Sequence, residues 1–148
     1  MKQTPVAICS ALLASLVLAA CSMTPMMPPA SPMLARLAGS NEVPSVPTSG
    51  SGTAELSFDM QSKLLSWTIT YSGLTGPATA AHFHGPAMVS ENAGVAVPLT
   101  GNLASPITGS ATLTDVQAAD LMAGKWYFNL HTAANPGGEI RGQVSLTR

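Results

Sequence analysis

The chain contains three histidines, His82, His84 and His131, and they fall in two short segments. Neutral imidazole offers a lone pair near physiological pH and is the commonest protein metal ligand. His82-Phe83-His84 lies in a run, residues 79–84, whose alternation predicts a β-strand. Side chains at i and i+2 of a strand share a face, so the two imidazoles stand side by side while Ala81 and Phe83 turn to the core. In a second predicted strand, 126–131, Trp126, Phe128 and Leu130 face one way, and Tyr127, Asn129 and His131 the other. If the two strands are neighbours, three imidazoles converge. Three neutral nitrogens suffice to hold copper or zinc, with a fourth position left open. A His-x-His pair serves equally well as a hydrogen-bonding pair that fixes the Gly85-Pro86 loop, and the spacing does not choose between the two.

Glu139 and Arg141 are also i and i+2, sharing a face with Gln143. Their spacing predicts an ion pair. An alternative role is support of His131, since a metal-bound imidazole needs an acceptor on its other nitrogen. Asp115 and Asp120 suit the solvated face of a helix better than an acid–base pair. The sequence shows no Gly-x-Ser-x-Gly nucleophile turn and no glycine-rich phosphate loop before a helix. A protein that works without catalysis is therefore expected. The leading expectation is a binding or structural module of unknown ligand; the alternative is a periplasmic copper- or zinc-binding protein that uses His82, His84 and His131.

The elements that must position these residues are short and alternating. Residues 34–37 form a first predicted strand, and 41–52 a loop. A hairpin follows: Ala54, Leu56 and Phe58 face one way in the first arm, and Leu65, Trp67, Ile69 and Tyr71 do so in the second, with a turn at 59–63. Further strands are predicted over 94–99, 108–113 and 139–146. Thr114-Asp115-Val116-Gln117 is a capping box that opens one helix. Asp115 suits the positive end of the helix dipole, and Gly124 supplies the left-handed stop. About seven or eight short strands with regular turn signals predict an all-β antiparallel sandwich or barrel with one short helix near 115–123.

The amino terminus points to export. Lys2 precedes an uncharged apolar run, Val6 to Ala20, which ends in Leu18-Ala19-Ala20-Cys21. A basic start, a short apolar middle and small residues form a secretory signal, and the run is shorter than a membrane span requires. The final four residues resemble the lipobox of bacterial lipoproteins. That resemblance implies cleavage before Cys21, lipid on its thiol and anchoring in the cell envelope, in the outer membrane for a Gram-negative source. Cys9 would leave with signal peptide 1–20, so Cys21 would be the one cysteine of the mature chain, without an intramolecular disulfide partner. Residues 21–33, with four prolines and several methionines, read as a tether. Met-rich stretches also bind soft metals, but a spacer is the simpler reading. The formal net charge is −1, charged residues make up 9% of the chain, and no Lys/Arg run occurs. Nucleic-acid binding has no electrostatic basis in such a chain. A protein or surface-polymer partner is left open.

Several motifs occur in order: Asn41-Glu42-Val43-Pro44, Leu65-Ser66-Trp67, the stretch from Ala80 to Pro86 containing His82-Phe83-His84, Ala123 to Thr132, and Asn135 to Gln143. Together they resemble the CHRD domain, named for chordin, over roughly residues 34–147. The resemblance implies an immunoglobulin-like β-sandwich distantly similar to copper–zinc superoxide dismutases. It attaches no firm molecular function to bacterial members. By that likeness His82 and His84 resemble the dismutase copper-binding His-x-His, with His131 a candidate third ligand. The enzyme uses more histidines, a zinc-binding aspartate and a disulfide, so a full two-metal dismutase site is not implied here.

Overall fold

The computed structural model describes residues 30–147. The expected signal peptide, Cys21 and most of the expected tether lie outside the described residues. In chain order the elements are β1 (Ser31–Ala38), β2 (Ser51–Asp59), β3 (Leu64–Ser72), β4 (Ala78–His84), β5 (Val95–Pro98), β6 (Ile107–Thr112), α1 (Asp115–Met122), β7 (Tyr127–Thr132), β8 (Ile140–Gln143) and β9 (Ser145–Leu146). A short 3-10 turn, Gly39–Asn41, follows β1.

Among the described residues the strand pairings are antiparallel, and the strand order is β5-β4-β7-β8-β1-β2-β3-β6, with β9 on β1. The two edge strands, β5 and β6, face each other across a cleft lined by Trp67, Val97, Leu99 and Gly109. The sheet is thus a nearly closed barrel, the barrel form of the expected all-β fold. Closure leaves little free edge for unwanted pairing.

The alternation read from the sequence holds where one strand face is packed. Ala54, Leu56 and Phe58 of β2 and Leu65, Trp67 and Ile69 of β3 point inward, as do Ala81 and Phe83 of β4. Phe83 packs edge-on to Trp67, with ring centroids 5.3 Å apart. Each such large side chain contributes about 1.5–3 kcal/mol by leaving water. The β2–β3 turn is held by Asp59, whose Oδ1 accepts the Gln61 and Ser62 amides at 2.8 and 2.9 Å. Lys63 closes it in the left-handed region at φ 57°. The capping box of α1 is formed as predicted. The Gln117 amide donates to Thr114 Oγ1, the Gln117 side chain accepts the Thr114 amide, and Gly124 stops the helix at φ 71°. Among the described residues no helix is long and apolar enough to cross a membrane.

Three differences from the predicted elements bear on the site. β1 begins at Ser31, so Ser31, Pro32 and Met33 belong to the sheet rather than to a tether. Met33 is buried, opposite Leu56. The predicted strand 139–146 is broken at Val144, whose amide turns to the Trp126 carbonyl. Val144 still faces inward, so the alternation carries no trace of the break. Finally, β7 is buried on both faces. Its outer face is roofed by the 85–94 loop and by the segment after β1, where Asn41 Nδ2 donates to the Arg141 carbonyl at 3.0 Å.

Candidate metal centre

His82, His84 and His131 meet on the outer face of β4 and β7. The register sets His82 opposite Asn129, His84 opposite Tyr127 and Ala80 opposite His131. His131 is therefore diagonal to His82, close enough for long or aromatic side chains to touch. His82 Nδ1 lies 3.1 Å from His131 Nε2, and one ring nitrogen from each of the three lies within 4.8 Å of the others. Two nitrogens bound tetrahedrally at 2.0–2.1 Å sit about 3.3 Å apart. The His82–His131 pair already has that spacing. The full span exceeds it by about 1.5 Å, within reach of side-chain rotation.

The hydrogen bonds select the tautomers. His84 Nδ1 pairs with the Ala93 carbonyl at 3.0 Å, and His131 Nδ1 with the Pro136 carbonyl at 2.9 Å. A carbonyl oxygen only accepts, so both Nδ1 atoms carry hydrogen and both Nε2 atoms present lone pairs. This is the arrangement by which backbone carbonyls orient metal-binding histidines. His84 is 8% exposed, and its Nε2 has no hydrogen-bond partner. An unsatisfied buried polar atom costs about 1–3 kcal/mol, a cost that a bound cation would remove. Burial pushes the His82 imidazole below the ordinary histidine value, and the other two rings add to the shift. Burial lowers His84 as well, helped by His131 and opposed by the Ala93 carbonyl, the Asn129 side chain and the Gly94 backbone. Both effects favour the neutral form that ligates metal. By donor type the three residues fit copper or zinc; His84 and His131 already hold the ligating tautomer, whereas His82 Nδ1, which donates to His131 Nε2, would give up its hydrogen to bind.

Glu139 and Arg141 do not form the predicted ion pair, and neither hydrogen-bonds an imidazole. Glu139 is fully buried. It accepts from Thr48 Oγ1 at 2.7 Å, the Thr75 amide at 2.8 Å, Thr75 Oγ1 at 2.6 Å, Thr132 Oγ1 at 2.6 Å and Asn135 Nδ2 at 3.2 Å. Burial pushes its carboxyl up, but the threonine hydroxyls and the Thr75 amide outweigh it and hold the pKa at about 2. The acceptor expected of it for His131 is supplied instead by Pro136. Arg141 acts nearer His84. Its guanidinium lies 3.5 Å from the centre of the Tyr127 ring, approached from the β8 side, while the His84 ring stacks on Tyr127 from the β4 side at 4.8 Å and 3°. Arg141 also donates to Asn92 Oδ1 at 2.8 Å and to the Glu91 carbonyl. It thereby holds the loop whose Ala93 carbonyl orients His84.

Sequence reasoning did not single out Glu42, Tyr127 or Asn129. Glu42 is 8% exposed; burial raises its pKa to about 7, opposed by Arg141 and Asn129. It borders a cleft of about 210 Å³ that Arg141 and Gln143 also line. The one available signal was position: Tyr127 and Asn129 share the face of His131, two and four residues before it.

A nearly closed antiparallel barrel with a roofed polar cluster on β4, β7 and β8 defines an all-β domain. The CHRD domain family model matches residues 33–144, and the chain belongs to that family. No match emerges among curated proteins or among solved structures.

Proposed function

We propose that this protein is an exported, lipid-anchored CHRD module of the bacterial cell envelope that binds a copper or zinc ion through His82, His84 and His131, without catalysing a reaction. The observation that carries the metal reading is the trio itself: three nitrogens within 4.8 Å, two of them with tautomers set by carbonyls and one a buried lone pair without a partner. The anchor reading rests on the apolar run ending in Leu18-Ala19-Ala20-Cys21. β1 starts at Ser31, ten residues after Cys21, a length of chain that reaches at most about 35 Å when fully extended. A metal bound by such a module would be held close to the membrane surface, as suits a buffer or carrier of metal.

Metal analysis of the full chain, purified in detergent and loaded with Cu²⁺ or Zn²⁺, is expected to give about one equivalent. His82→Ala and His131→Ala are expected to lose it. A wild-type protein that retains no metal and shows no spectral change on copper addition would refute the metal reading, leaving a binding or structural module without one. Cys21→Ser is expected to move the protein from the membrane to the soluble fraction; unchanged membrane association would refute the anchor.

A further inference from the structure

We propose that the side-chain carbonyl oxygen of Asn129 is a fourth protein ligand, making the site a three-nitrogen, one-oxygen set suited to Cu²⁺ or Zn²⁺ rather than Cu⁺. This inference rests on the metal reading above and deepens it.

Asn129 occupies the middle of the trio. It is the β7 residue directly opposite His82, it precedes His131 by two on the same face, and its amide lies beside the His84 ring. It is 3% exposed, and its Oδ1 has no hydrogen-bond partner. His84 Nε2, the neighbouring orphan, is a lone pair because the ring hydrogen points to Ala93. In this tautomer two buried lone pairs lie together, and only a hydrogen on His84 Nε2 or a cation between them satisfies both. Two acceptors cannot satisfy each other, whereas an electron-deficient centre satisfies both.

The other end of the amide explains its orientation. Nδ2 faces the Glu42 carboxyl, which accepts when ionised, although Glu42 Oε1 itself makes no hydrogen bond of full geometry. Both atoms press on Gly138, where an added Cβ would lie 2.6 Å from Asn129 Nδ2 and 2.6 Å from Glu42 Oε1. Gly138 also has φ 127°, a conformation L side chains rarely adopt. The glycine therefore leaves room for an amide–carboxyl pair that turns the carbonyl end of Asn129 toward the histidines. Oxygen is a harder donor than sulfur, and a neutral amide with three imidazoles suits a divalent ion better than soft Cu⁺.

The test uses the full chain in detergent as wild type, Asn129→Leu and Asn129→Asp, with circular dichroism confirming the fold. Zn²⁺ and Cu²⁺ affinities are measured by chelator competition, and the Cu²⁺ forms by pulsed electron paramagnetic resonance in D₂O. Asn129→Leu is expected to weaken Zn²⁺ and Cu²⁺ by at least about 10- to 100-fold, the range for losing a supporting residue, and to admit a coordinated water seen as new deuteron modulation. Asn129→Asp keeps an oxygen donor and is expected to bind within about tenfold of wild type. Wild-type protein labelled with ¹³C in the asparagine side chain is expected to show a carbon hyperfine coupling to Cu²⁺, a measurement that stands even if a variant fails to fold. Wild-type affinity in Asn129→Leu, or no such coupling in the labelled protein, would overturn the fourth ligand while leaving the three-histidine site intact. Equal weakening in both variants with an unchanged spectrum would assign Asn129 as a donor to His84, and would also overturn it. Absence of metal in wild type would overturn both readings together.

Discussion

Replacing Glu139 with glutamine tests the polar cluster that ties the barrel together. Glu139 receives hydrogen bonds from four residues on three separate segments: Thr48, Thr75, and Thr132 and Asn135. An amide keeps the shape, removes the charge and turns one acceptor into a donor facing donors. The folded pKa of about 2, set against the ordinary glutamate value of 4.5, corresponds to about 3 kcal/mol favouring the ionised form in the fold. Because the folded value is depressed, this contribution is fully present above the unfolded value. It is lost as pH falls from about 5 toward 2. Urea unfolding of wild type and Glu139→Gln at pH 7 is expected to differ by about 3 kcal/mol, and the gap is expected to narrow to below about 1 kcal/mol at pH 2.5. A variant within about 0.5 kcal/mol of wild type at pH 7, the range of an ordinary surface change, would refute the reasoning. A gap that persists undiminished at pH 2.5 would do the same.

Other substitutions probe the frame of the candidate centre. Arg141→Lys removes the stack on Tyr127 and the fork to Asn92 and Glu91; a loss of about 2 kcal/mol is expected, read as a lower urea midpoint, and an unchanged midpoint would show that the 85–94 loop holds itself. Gly85→Ala drives a Cβ into Trp126 Cδ1 and places it 2.9 Å from the Lys125 carbonyl. Trp126 is buried, so overpacking of about 1–3 kcal/mol is expected, and thermal melting equal to wild type would contradict it. Thr114→Ala breaks the capping box and is expected to cost about 1 kcal/mol without altering metal content, which a paired melt and metal assay would show.

Much of the barrel was legible in the sequence because alternation and end signals are local. Phe83 inward with His82 and His84 outward follows from the pleat of one strand, and the start of α1 follows from Thr114 and Gln117 alone. The order of motifs from Asn41 to Gln143 was enough to indicate the family. What stayed hidden was non-local. The burial of the outer face of β7 depends on the 85–94 loop and the segment after β1, which no periodicity in 127–132 reports. Glu139 and Arg141 were predicted as a pair because they stand two apart. In the fold, Glu139 is claimed by Thr48, Thr75 and Thr132, while Arg141 is claimed by Tyr127 and the loop carbonyls.

The sequence by itself determined that His82 and His84 share one face and that His131 stands on the polar side of its own strand. Only the tertiary structure decided that those strands are neighbours, offset so that His131 meets His82 on the diagonal and Asn129 stands between them. The reason is physical: side-chain direction within a strand is set by the backbone of that strand, whereas register between strands is set by the packing of the whole core and by the loops that close over it.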